Sequence, residues 1–582
     1  MLIDATNASP VLWLVGVLPI VVLVTLVLRS RLSTGANGVI TTALALVLGW
    51  AVFGADLAVT GVAVGKGVWT GLWILYVIWT ALLLYHIASV AGLDRMGSVF
   101  SSILPRNVEN VLIVAWIFPS FIQGVAGFGT PIAVAAPLLV AMGYGPVRAV
   151  ALPLVGYHWS VTFGSMGSSF YMGALTAGLV GDELAAYARD AGIILAVNML
   201  LAGGLVCFMH GGLHSLRRGA RMLLTVGSAM AITLLAAVHV EPAIGSLAAG
   251  SVGFLGIVLL RTATRGQAPE PEVRAARDAA REHSQRVRIP DATNPVEADA
   301  DRVDPPADDL EGEPLPDTPD PPDTAHDGAA GRPQDRRTRP VVVLLPYAYL
   351  LVIVLAAFLP EASRDFVRSN LLIGPSFPAT ATAGGMVNPA VDHYTPIALL
   401  GHPGSYILLA ATLGLVTYRL VGAWPARQLG PVLRRWAIQA RRSTLSVVAL
   451  TTLATVMVDT GMVRVIATGA AELTGSLFPA VSPIIGALGS FTTGSTTTSN
   501  ALFSALQRDV ALLIDVNPSE LLAAQTAGGN VGNALAPVVI LIGATAIDAR
   551  ERIGDIFRAV LAPAALLAAA VITLTFVLIA IA

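Results

Sequence analysis

The sequence predicts an all-α polytopic membrane protein of roughly 12–14 helices, built as two inverted repeats with broken or re-entrant helices. Three observations predict it. Charge is scarce: 12% of the 582 residues are charged, where a soluble domain carries about 25%. Apolar residues run together. Val11–Leu28 holds no charge, Trp69–Ala91, Ile193–Met209, Met222–Val240 and Val560–Ala582 are similar, and the mean hydropathy is +0.73. A helix needs roughly 20 such residues to cross the ~30 Å hydrocarbon core, and a soluble fold has no core large enough to hide so many. Third, the apolar pattern is interrupted at corresponding places in two halves of the chain.

From the N-terminus, MLIDATNASP lacks the positive start of a cleavable signal peptide, and Arg29 and Arg31 follow Val11–Leu28 directly. That run therefore reads as the first retained span. The first membrane half is 1–265. Residues 266–340 break the pattern: they are rich in Pro, Asp, Glu and Arg, and they hold roughly half of the chain's 37 acidic residues. Such a composition cannot bury enough surface to offset chain entropy, so it predicts a disordered tether. The second membrane half is 341–582. Net charge is −2 and no basic stretch is interleaved with aromatics, which argues against nucleic acid as a partner. The single cysteine, Cys207, lies in an apolar run and reads as a small hydrophobe.

The halves resemble each other. One span ends at Ala91-Gly92-Leu93, its counterpart at Thr460-Gly461-Met462. SVFSSILP then reaches Pro105, and ELTGSLFP reaches Pro479. An interrupted stretch follows in each, 124–131 and 492–500. Then come Gly145-Pro146 and Asn517-Pro518, each followed ten residues past its proline by a glycine, Gly156 or Gly528. The ordered series predicts a duplication. Cytoplasmic loops carry excess Arg and Lys. Candidate inner loops hold Arg29/Arg31, Arg95/Arg106, Arg217/Arg218/Arg221, Arg261/Arg265 and Arg427/Arg434/Arg435/Arg441/Arg442. On that count Trp69–Ala91 runs outside to inside and Ser443–Thr460 inside to outside, so the repeats are inverted and the tether is cytoplasmic. Arg464 lies on the wrong side of this scheme.

The interruptions are where chemistry belongs. Irregular backbone survives at membrane depth only when protein buries it or it lines a cavity. Residues 124–131 hold three glycines and a proline; Ser495 to Asn500 are six consecutive hydroxyl or amide side chains. Paired breaks in two repeats point to a transporter's binding site. Half-helix N-termini favour an anion. The hydroxyls of Ser495, Thr496, Thr497, Thr498 and Ser499 can donate to a carboxylate, and the Asn500 amide can donate and accept. Small-residue helix packing is the plainer reading of such glycines and threonines, and it fits six consecutive polar residues poorly. A second tier follows each break, Gly156–Ser160 with Gly164–Gly167 in the first half and Gln525–Asn533 in the second, in which His158 aligns with Asn530 and Gln525 leads the polar run. His158 is a candidate for anion binding or proton relay, with a structural hydrogen bond as the alternative. Asp459 and His86 are intramembrane ionisable residues and candidates for coupling. No HExxH, Walker A or G-x-S-x-G is present, so no enzyme signature competes.

At these motifs the sequence resembles the L-lactate permease family. The resemblance is carried by GVAGFGTPIAVAAPLLVAMGYGP (124–146), FGSMG (163–167), GSTTTSNALFSALQ (494–507) and NPSELLAAQTAGGNVGN (517–533). It implies inverted repeats with re-entrant hairpins, a multi-pass location in the cell membrane, and import of L-lactate, glycolate and related 2-hydroxymonocarboxylates, generally with protons. It implies a site role for Gly127, Gly129, Thr130, Ser495, Thr497, Ser499 and Asn500. The acidic 266–340 insertion and the His-Trp pair within Tyr157–Ser160 depart from the family pattern. The expected partners are thus a small carboxylate, a proton or sodium ion and the lipid bilayer, with no cofactor or metal. The competing readings are a sodium-coupled anion or dicarboxylate carrier and, from another class, a membrane-embedded enzyme or receptor.

Overall fold

A computed structural model describes residues 10–29, 32–92, 107–127, 129–264, 340–425 and 427–581. The segment 266–339, the SVFSSILP stretch, Arg31, Arg95, Arg106 and Arg265 lie outside the described residues. The first half opens with α1 (Pro10–Arg29), α2 (Thr34–Ala51) and α3 (Leu57–Ala91). Asp56 caps α3 by accepting from the Val59 N–H, and Gly92 ends it with φ +109°. Four shorter helices follow: α4 (Val108–Val125), α5 (Thr130–Ala141), α6 (Pro146–Tyr157) and α7 (Ser168–Ala177). α8 (Gly181–Met222) runs through a π-turn into α9 (Ser228–Val240), and α10 (Gly245–Thr264) closes the half.

The second half contains α11 (Pro340–Phe358), α12 (Glu361–Ser369), α13 (Pro403–Leu420), α14 (Leu429–Asp459) and α15 (Met462–Thr474). It ends with α16 (Phe478–Thr493), α17 (Thr496–Leu513), α18 (Pro518–Leu535), α19 (Pro537–Thr545) and α20 (Ile553–Ile581). The chain is a nearly all-α polytopic membrane protein. The exception is a small cap between α12 and α13, where Leu372–Ile373 pairs with Ile397–Ala398 and Thr380–Ala381 with Val387–Asn388, both antiparallel.

Among the described residues seven helices are individually long and apolar enough to cross a membrane, and two bent pairs raise that to nine. The count falls below a dozen for two physical reasons. Helices beside a break are half-length, too short to cross the bilayer alone. Some continuous runs also turn back on themselves: Gly181–Val240 reverses at Gly211-Gly212, whose backbone is non-helical, so that Gly192 faces Val238 and Gly219 faces Cys207.

The longest seam joins α3 to α14. Thr455 donates to Ala63 O at 2.8 Å, Thr451 to Gly67 O at 2.7 Å, and Trp79 Nε1 to Thr444 Oγ1 at 3.0 Å. Residue numbers fall along one helix as they rise along the other, so these two matched helices run antiparallel. The seam is tight because Gly67 lacks a Cβ, which would lie 2.4 Å from Thr452 Cα. The glycines matched between the halves share a role. A Cβ on Gly156 would lie 2.0 Å from the Ala115 carbonyl oxygen in α4, and one on Gly528 would lie 2.0 Å from that of Pro483 in α16. In each half a glycine lets the helix after the break press its backbone on the helix before it.

Arg434, Arg435, Arg441 and Arg442 belong to α14 rather than to a loop. The helix begins fourteen residues before Ser443, because its exposed polar N-terminal turns need no bilayer around them.

Candidate functional site

Each half is broken twice. α4 stops at Val125, and the chain re-enters α5 through Gly129 at φ +84°. α16 stops at Gly494, φ +69°, and an extended Ser495 starts α17 and accepts from the Thr498 N–H at 3.2 Å. The second breaks follow α6 and α18. After α6 the chain passes through His158–Ser160 to three successive positive-φ residues, Ser165, Met166 and Gly167, before α7. After α18 a single extended residue, Ala536, leads to α19.

Left-handed backbone at Ser165 and Met166 costs of order 1–3 kcal/mol each, so something must hold it. The first break does: Ser165 N donates to Gln123 O at 2.7 Å, Met166 N to Gly124 O at 3.2 Å, and Gly127 N to Ser165 Oγ at 2.9 Å. A Cβ on Gly127 would lie 2.2 Å from that hydroxyl. In the second half Asn533 Nδ2 donates to Gly494 O at 2.9 Å. Side chains of one break thus satisfy the free backbone of the other, as membrane depth requires.

Between the halves lies a chain of uncharged polar groups. Gln525 Nε2 donates to Asn500 Oδ1 at 3.0 Å, and Asn500 Nδ2 donates to Thr526 Oγ1 at 2.9 Å and to Ser169 O at 2.7 Å. Thr162 Oγ1 donates to Asn530 Oδ1 at 3.0 Å, which leaves the Thr526 hydroxyl to donate to Thr162, also at 3.0 Å. Asn530 Nδ2 continues to Trp159 O at 3.3 Å. Beside this chain Ser169 meets Thr497 at 2.8 Å, Ser504 donates to Gln525 Oε1 at 3.1 Å, and Ser499 donates to Gly486 O at 2.9 Å. All of these side chains are buried, Asn500, Gln525, Thr526 and Asn530 completely. None of them is charged.

Of the candidates read from sequence, Thr497, Ser499, Asn500, Gln525 and Asn530 come together here. Ser495 and Thr498 form the cap of α17, and Thr496 faces Ser490 at 3.4 Å. Gly127 joins through Ser165. Gly129 and Thr130 start α5 instead, where a Cβ on Gly129 would lie 2.5 Å from Ile542 of α19. His158 turns away from Asn530: its Nδ1 lies 2.8 Å from Val155 O, and Asn198 of α8 is its side-chain neighbour. His86 pairs with Gln439 at 3.0 Å on the α3–α14 seam.

Asp459 does not reach water. It is buried and pairs with Lys66 at 2.9 Å. Sequence reasoning passed over Lys66, although it is the only lysine of the chain's 35 basic residues. It also missed Thr162, Ser169 and Ser504. Ser504 is one helical turn from Asn500, so helical spacing could have found it. Two turns beyond Asn500, Gln507 is fully buried, and neither atom of its amide meets a partner among the described residues.

The L-lactate permease family pattern matches residues 13–296 and 348–582. The chain belongs to the L-lactate permease family. It is a permease, a membrane transporter rather than an enzyme. Among its relatives, the glycolate permease GlcA of Escherichia coli K12 is 25% identical over 568 residues, covering 94% of this chain and 91% of that protein. The L-lactate permeases of E. coli K12 and Bacillus subtilis 168 are each 25% identical, covering 94% of this chain and 92% of theirs. The solved structure of the Alcanivorax borkumensis YdaH transporter is similar at a TM-score of 0.44 and 12% identity, over 89% of this chain and 87% of that one.

Proposed function

We propose that this permease imports small 2-hydroxymonocarboxylates of the L-lactate and glycolate kind across the plasma membrane, one proton accompanying each anion. The observation that carries this reading is the uncharged network at the meeting of the broken helices. Its rotatable hydroxyls and amides suit a carboxylate together with a neighbouring hydroxyl, because each hydroxyl can donate or accept as needed. The N-termini of α7 and α17 flank it, and helix N-termini favour an anion. No fixed positive charge stands in the network, so a monoanion bound there is balanced only if a cation travels with it, and a proton serves. The relatives named as L-lactate and glycolate permeases support the substrate class.

In this structure the network's side chains pair with one another. Substrate entry exchanges those pairings for bonds to substrate, and alternating access follows when one half moves against the other. We take 1–265 and 341–582 as inverted repeats joined by a cytoplasmic linker, 266–340. The antiparallel seam between the matched helices α3 and α14, and the matched contacts of Gly156 and Gly528, support this division. Asp459, paired with Lys66 on that seam, serves the scaffold.

The test is uptake of labelled L-lactate into proteoliposomes holding the purified full chain. An inwardly directed proton gradient should accelerate uptake, with or without sodium. Uptake that follows a sodium gradient and ignores the proton gradient overturns the symport.

A further inference from the structure

We propose that Glu241 is the proton-binding residue of this transporter, acting on the substrate network through Tyr171. The assignment rests on the symport reading above.

Glu241 stands in the bend between α9 and α10 and is 3% exposed. The bend lies against the breaks rather than at the end of a long span. A Cβ on Gly124 would lie 2.7 Å from Leu247 Cα, one on Gly167 would lie 3.1 Å from Ala243 Cα, and Ser246 Oγ donates to Ser160 O at 2.7 Å. A carboxyl group is thus held beside the irregular backbone of both first-half breaks.

Its partners are unusual for a buried acid. Tyr171 OH donates to its Oε1, and the Ala243 N–H approaches the same oxygen at 3.4 Å. Among the described residues no Lys or Arg lies within ion-pair distance. Among the other buried acids, Asp459 has Lys66 at 2.9 Å and Asp190 has Arg189 at 2.8 Å, while Glu520 stands in the first turn of α18, where a helix N-terminus favours a carboxylate. Tyr406 faces Glu241 from α13, and Arg368, exposed on α12, faces it from farther out on the side of the β-cap. An unpaired carboxylate is costly to bury, and taking up a proton removes that cost.

Tyr171 connects this group to the network. It lies on α7, less than one turn from Ser169, which meets Thr497 at 2.8 Å and receives the Asn500 amide at 2.7 Å. When Glu241 is ionised it accepts from Tyr171. When it is protonated its O–H can donate, and the bond that holds α7 in place is exchanged. One proton enters from the cap side, is held on Glu241 while the anion is carried, and leaves to the opposite side.

The experiment compares wild-type protein, Glu241→Gln and Tyr171→Phe in proteoliposomes. It measures lactate accumulation under a proton gradient and lactate–lactate exchange at equal pH. With one proton per anion, a gradient of about one pH unit sustains at most about a tenfold accumulation. The assignment predicts that Glu241→Gln loses this accumulation and still exchanges, because a permanently neutral amide mimics the loaded state. Tyr171→Phe removes the bond through which Glu241 acts, so it should likewise lose accumulation under the gradient and still exchange lactate; normal accumulation by this variant overturns the route through Tyr171. If wild-type uptake ignores the proton gradient, the symport reading fails and the assignment with it. If wild-type and Glu241→Gln both accumulate lactate, the assignment alone fails. A Glu241→Gln protein that inserts normally and loses exchange as well overturns it too.

Discussion

Removing one member of the Lys66–Asp459 pair should destabilise the protein far more than removing both. The two groups meet at 2.9 Å with side chains 8% and 7% exposed, and they join α3 to α14 along the longest seam of the fold. Stranding one buried charge typically costs about 3–5 kcal/mol, whereas replacing a whole buried pair with packed apolar groups is often neutral. Lys66→Met and Asp459→Leu should therefore each lower the thermal midpoint of purified protein substantially. The double variant should recover most of the loss, which makes the two changes strongly non-additive. Lys66→Met leaves a buried carboxylate without its cation, while Asp459→Leu leaves a buried ammonium 5.8 Å from the Tyr394 ring. Scanning fluorimetry of the four proteins measures the stability cycle, and proton-driven uptake by the double variant measures function. A stable double variant that no longer responds to the proton gradient would refute the scaffold role and return Asp459 to coupling.

Other variants probe the breaks and the network. Gly156→Ala and Gly528→Ala each push a methyl group to 2.0 Å from a carbonyl oxygen, so both should reduce folded protein by an overpacking cost of about 1–3 kcal/mol or more, read as lower midpoints. Equal stability to wild type would undo the matched-seam argument. Thr162→Val removes the hydroxyl that joins Thr526 to Asn530. It should impair lactate uptake more than it lowers stability, and a purely structural role would do the reverse. Asn500→Ala should abolish uptake while the protein still inserts, as judged by membrane-fraction yield.

What the sequence made legible follows from locality. The breaks at Gly129 and Gly494-Ser495 stood out because glycine clusters and consecutive hydroxyls cannot form a lipid-facing helix. The shared roles of Gly156 and Gly528 were foreshadowed by equal spacing from Pro146 and Pro518. Partners distant in sequence were not legible. Lys66 and Asp459 lie 393 positions apart, and only the rarity of lysine hinted at the first. The direction of the His158 ring was hidden because Trp159, not His158, supplies the carbonyl that meets Asn530. The cap between α12 and α13 consists of two-residue strands, too short to leave an alternating pattern. Glu241 escaped notice because it sits between two helices, a place that usually lies in water and here lies against the breaks.

The proposed function requires the buried network to read the hydroxyl next to the carboxylate. If so, a substrate lacking that hydroxyl leaves a network group unsatisfied, at about 1–3 kcal/mol, or roughly a 5- to 150-fold loss of affinity. The direct measurement is competition against labelled L-lactate uptake in proteoliposomes, with glycolate, propionate and acetate as competitors. Glycolate should compete nearly as well as unlabelled lactate, and propionate and acetate should require at least several-fold higher concentrations. Equal competition by propionate and lactate would contradict hydroxyl recognition by the network around Asn500.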